Sequence, residues 1–162
     1  MDEELLTQIG SRKEFHDAIR AAFARAAEAD AGEVFLVDVD FADWPLNERA
    51  VAEALGRWAS SRRRLVVYAH SFEALPRNAP RFTEWRRQWS HIVQFRTDPE
   101  VEALQVPSLL LVPGEVTVRL LDPVRYRGMV SGRATDQVQA REAVDALLQR
   151  SVEGFPPTTL GL

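Results

Sequence analysis

The six residues Val34-Phe35-Leu36-Val37-Asp38-Val39 (VFLVDV) decide how the rest of the chain is read. Successive side chains of a strand point to opposite faces, so an unbroken apolar run demands cover on both. Such a strand belongs in the middle of a sheet, with helices above and below it. The run ends in acid, Asp38 and then Asp40, where the chain leaves the core.

Upstream, Ser11-Arg12-Lys13-Glu14 fits a capping box, with Ser as N-cap and Glu three residues on. Phe15, Ile19, Ala22, Phe23 and Ala26 follow at helical spacing and predict a helix over about 12–29, after a short strand at 5–9. Downstream, Asp43-Trp44-Pro45 marks a turn, and Val51, Leu55, Trp58 and Ala59 mark a second helix. The run 65–69 is another strand buried on both faces. The order β-α-β-α-β favours a parallel sheet with right-handed crossovers.

Beyond it, 71–81 is a loop or short helix punctuated by Pro76 and Pro80. Phe82, Trp85 and Trp89 indicate an amphipathic helix, and 91–95 a fourth strand. Strands at 109–112 and 116–120 flank Pro113-Gly114-Glu115, whose Pro-Gly step is a strong turn signal. They form an antiparallel hairpin added to the parallel strands. A long loop with Asp122, Arg125, Tyr126 and Arg127 then leads to a last helix over about 134–150, with Ala140, Ala143, Val144, Leu147 and Leu148 on its apolar face. The expected fold is one α/β domain over residues 1–150, a mixed sheet in α/β/α layers. Residues 151–162 form an extended tail that packs on the domain or on a dimer partner.

The chain has 162 residues, 46% hydrophobic and 27% charged, enough for one domain with a real core. No apolar run reaches the roughly 20 residues that span a bilayer. The acidic start Met1-Asp2-Glu3-Glu4 is no signal peptide, so a cytoplasmic protein without membrane contact is expected. Zero cysteines exclude disulfides, thiolate metal sites and a Cys nucleophile. A net charge of −4 gives bulk electrostatics no pull on phosphate, which makes nucleic acid an unlikely partner. Of the 20 basic residues, all but Lys13 are arginine. Any mechanism that needs a lysine has one candidate.

This element order is similar to one half of the phospholipase D superfamily. The chain resembles a half-size bacterial family with a degenerate phospholipase-D-like domain, through the strand at 34–39, the Arg-rich region 77–87, SHIVQFR at 90–96, the hairpin 108–121, LLDPVRYRG at 120–128 and ALLQRS at 146–151. In active members, a His-x-Lys-x4-Asp signature supplies a nucleophilic His, a phosphate-neutralising Lys and a supporting Asp. On this hairpin, that spacing falls on Val106, Ser108 and Pro113, and no His-x-Lys occurs anywhere. The family's downstream Asn is also missing, since Asn47 and Asn78 are the only asparagines. The usual phosphodiesterase route is therefore excluded.

Asp38-Val39-Asp40 resembles the first motif of haloacid-dehalogenase-like phosphatases, but no later strand ends in Asp-Asp and no downstream Lys follows. The plainer reading is that both acids cap the next loop. His70 follows a strand at the carboxyl edge, where α/β folds place ligands, and a structural role is the plainer one there too. His16 reads as a surface residue. PRNAPRFTEWRRQW, 76–89, interleaves Arg77, Arg81, Arg86 and Arg87 with aromatic rings, a pattern that suits phosphate and base stacking, or else an anchored helix with a solvated basic face.

The sequence thus points to a non-catalytic phospholipase-D-like binding or assembly module, more a pseudoenzyme than an enzyme. Active relatives join two halves about a twofold axis, so a homodimer is expected. A small anionic ligand is expected at candidates His70, Arg77, Arg125, Tyr126, Asp38 and Asp40, with no cofactor and no metal. Two alternatives stay open: a Mg-dependent phosphatase using Asp38 and Asp40, and a nucleic-acid module using residues 77–89.

Overall fold

The computed structural model describes residues 6–154. The chain runs β1 (Leu6–Ile9), α1 (Arg12–Glu28), β2 (Glu33–Asp38), α2 (Arg49–Trp58), β3 (Arg64–Ala69), α3 (Leu75–Asn78), α4 (Pro80–Gln88) and β4 (Val93–Thr97). It continues through β5 (Ser108–Val112), β6 (Val116–Asp122), β7 (Arg127–Ser131), α5 (Ala134–Gln149) and β8 (Val152–Glu153). The eight strands form one mixed sheet in the order β1-β7-β6-β5-β2-β3-β4-β8. β2, β3 and β4 are parallel, and β5 lies antiparallel to β2.

Burial follows from sequence pattern. β2 and β3, apolar at consecutive positions, are covered on both faces. One face, carrying Leu36, Val67, Phe95 and Leu110, packs under α1, α2 and α4 through Phe15, Ile19, Leu55, Trp58 and Phe82. The other, carrying Phe35, Val37, Val66, Tyr68, Leu109 and Leu111, packs under α5 through Ala140 and Val144. The arginines Arg141 and Arg64 close that second layer, their guanidinium groups 4.7 and 5.8 Å from the Phe35 ring centre. The α/β/α layering is as the sequence predicts.

The α1 cap also forms: Ser11 Oγ accepts from the Glu14 N–H at 3.1 Å, and Glu14 Oε1 accepts from the Gly10 N–H at 2.7 Å. Two details differ. The fourth strand starts at Val93, because Ser90–Ile92 is a 3-10 turn. The loop expected before the last helix contains β7, which pairs with both β6 and β1. Beyond residue 150, β8 pairs with β4, and the rest of the expected tail lies outside the described residues. None of the described helices is long and apolar enough to cross a membrane.

Candidate functional site

β2, β3 and β4 end, and β5 begins, along one edge of the sheet, which places the loops after β2 and β3 together. Asp38 sits there, only 8% exposed. Its Oδ2 accepts from the backbone N–H of Phe41 at 2.8 Å and of Asp40 at 3.2 Å. Burial pushes this carboxyl's pKa up, and the two N–H groups oppose the shift, with Ser108 and Trp44 adding to them from alongside. Neither Ser108 Oγ nor Trp44 Nε1 completes a hydrogen bond of good geometry. The Asp38 bonds hold Phe41 in the left-handed region, φ 60°, with its ring edge-on to Trp44 at 4.9 Å. Asp40 Oδ1 accepts from the Ala42 N–H at 2.9 Å. Both acids therefore shape the loop that follows them, and no group of three His, Asp or Glu among the described residues could hold a metal ion.

Arg125 and Tyr126 occupy the β6–β7 turn. Arg125 Nη1 lies 3.0 Å from Asp122 Oδ2, and this contact lowers the Asp122 pKa. Tyr126, at φ 55°, donates from its Oη to Asp43 Oδ2 at 2.7 Å. Asp43 also faces Arg12 Nε at 3.9 Å, and its carbonyl oxygen lies 2.6 Å from His16 Nε2. Asp43 thus ties α1, the loop after β2 and the β6–β7 turn together. Sequence reasoning read His16 as a surface residue and Asp43 as part of a turn, and did not connect them; the only local signal was that Arg12 and His16, four apart, share a helix face.

The remaining candidates do not converge on one site. His70 is exposed beyond β3, its backbone N–H bonded to Val39 O at 3.0 Å. Arg77 lies on α3, while β5 and β2 intervene between β3 and the β6–β7 turn. In 77–89, Phe82 and Trp85 are buried and so cannot stack on a base. Arg86 is buried 5.3 Å from the centre of the Phe95 ring, and Arg81 Nη1 donates to Asn47 O at 2.9 Å. That segment offers exposed charge at Arg77, Arg81 and Arg87, and of its three rings only Trp89 is half-buried rather than buried, stacked on the His91 ring at 5.7 Å between centres.

Val106 and Ser108, the positions matched to the catalytic His and Lys, are both buried. Val106, in the core under α5, also forms part of the wall of a cleft of about 700 Å³ between the 98–107 loop, the end of β6 and the last turns of α5. Arg119 and Arg150 line this cleft, and neither makes an ion pair among the described residues. Register places Arg127 on the same sheet face as Arg119, because Arg119 pairs with Met129. Asp98, 6% exposed, also lines it, with Oδ1 accepting from the Glu100 N–H at 2.9 Å. Nearby, Tyr68 Oη is buried without a hydrogen-bond partner; burial raises its pKa, and the Asp98 charge adds to the rise. A second groove, of about 620 Å³, runs between α1 and β1, but Glu14, Asp17, Glu28 and Glu115 line it beside Arg25. Acid of that density disfavours a phosphate backbone.

No protein-family model and no curated protein matches the chain. Solved structures do. The chain is similar to TrmBL2, an archaeal chromatin protein whose structure is described as showing a novel mode of DNA binding, with a TM-score of 0.64 and 13% identity over 93% of this chain. It spans 55% of that protein's length. It is also similar to NucT from Helicobacter pylori, with a TM-score of 0.63 and 10% identity, covering 93% of this chain and 99% of that one. At such identities the likeness shows the fold. The expectation that nucleic acid is an unlikely partner is nonetheless corrected by these neighbours, the first of which is described as binding DNA. A net charge of −4 averages the whole surface and says nothing of where unpaired arginines gather.

Proposed function

We propose that this chain is a phospholipase-D-like half that lacks the phosphodiesterase groups and binds nucleic acid at the cleft beside Val106. The observation that carries the reading is the pair Arg119 and Arg150, which line one cleft and make no ion pair among the described residues, with Arg127 on the same sheet face as Arg119. Guanidinium forks match phosphate oxygens bidentately, and an arginine without an acid partner has no ion pair to break when it binds. The likeness to a chromatin protein described as binding DNA supports it. With Val106 where the catalytic His would stand, the backbone is held without being cut.

Fluorescence anisotropy of a labelled oligonucleotide tests this. Wild type is expected to bind in a salt-sensitive way, and an Arg119→Ala/Arg150→Ala double variant with an unchanged melting curve is expected to bind about tenfold more weakly or worse. Absence of binding by wild type at low salt contradicts the reading.

A further inference from the structure

We infer that the cleft takes one unstacked nucleotide of a single strand, rather than the outside of a duplex; this rests on the nucleic-acid reading above. The cleft's charges are divided. Arg119 and Arg150 lie on its β6 and α5 sides, and the buried Asp98 carboxylate lies on its loop side. Phosphate is therefore drawn to the arginines and kept away from Asp98. Between them the walls are apolar, with Val106, Leu121 and Leu147, and they suit the face of a base. One Asp98 oxygen is held by the Glu100 N–H, and Oδ2 accepts an exocyclic base amine. The volume, about 700 Å³, is that of a small-molecule pocket. A duplex keeps its base faces in the stack, so it could touch only the arginine rim.

The exposed leucines agree with this geometry. Leu104 is 99% exposed and Leu121 65% exposed, and both line the cleft mouth. They would cover the sugar and base edges of a strand entering there.

The test compares a labelled single strand with the duplex of the same sequence, on wild type and on Ala146→Trp. Ala146 is exposed on α5 and lines the cleft, so a tryptophan there fills the cleft without entering the core. Single strand is expected to bind wild type at least about tenfold tighter than duplex, and Ala146→Trp, melting like wild type, to lose about tenfold on the single strand and little on the duplex. Asp98→Asn is expected to weaken oligo-dC more than oligo-dT, since only cytosine offers an exocyclic amine. Equal affinity for both forms, or single-strand binding untouched by Ala146→Trp, overturns the inference and leaves the nucleic-acid reading standing. Failure to bind either form overturns both.

Discussion

Asp38 holds two backbone N–H groups from a buried position, and its pKa is raised mainly by that burial. A carboxyl with a folded-state pKa above its unfolded value contributes most below the unfolded value and loses that contribution as pH rises through the folded one. Urea unfolding in steps from about pH 4 to 7 should therefore show wild type losing stability relative to Asp38→Asn as pH rises. Parallel curves for the two proteins would count against a raised Asp38 pKa. At the neighbouring Phe41, two effects compete. Its left-handed backbone costs roughly 1–2 kcal/mol for a non-glycine residue, while losing a buried phenyl ring costs roughly 3–5 kcal/mol. Burial wins, so Phe41→Gly is expected to destabilise by about 2–3 kcal/mol in the same assay. A more stable Phe41→Gly protein would mean the ring contributes little.

At the scale of elements, two glycines separate packing from propensity. A Cβ on Gly128 would lie 2.0 Å from the backbone oxygen of Arg119, so the β6–β7 ribbon has to part for Gly128→Ala. The expected loss is about 1–3 kcal/mol. Gly56 in α2 has nothing within 4 Å of a built Cβ, and Gly56→Ala is expected to gain about 0.5–1 kcal/mol. Thermal melts of both variants should move in opposite directions; movement in the same direction would refute the assignment of Gly128 as a point of close approach.

β2, β3, β5 and the α1 cap were legible in sequence because each carries its signal locally, as an apolar run or a capping residue. β7 was not: Arg127-Gly128-Met129-Val130-Ser131 has no strong strand pattern, and its pairing with β6 and β1 makes it a strand. The Asp43–Tyr126 bond joins residues 83 apart, and no local pattern announces it. The cleft was invisible for the same reason. Asp98, Arg119 and Arg150 come from a loop, a strand and a helix end, and only the fold shows that they line one cleft.

For the whole molecule, the decisive contrast is between net charge and its arrangement. The chain carries −4 overall, yet most acids near arginines are engaged with them: Asp17 with Arg20, Glu115 with Arg25, Glu33 with Arg64 and Arg141. Surface pairs of this kind contribute little to stability, but they remove those arginines from the pool that meets a ligand. Arg119, Arg127 and Arg150 stay outside such pairs among the described residues. The most direct check is a salt titration of oligonucleotide binding. If these three arginines each meet a single-strand phosphate, log affinity against log salt falls with a slope of about −2, and each Arg→Ala change makes the slope shallower by about 0.7. Binding whose slope is the same in wild type and in all three single variants would contradict the account.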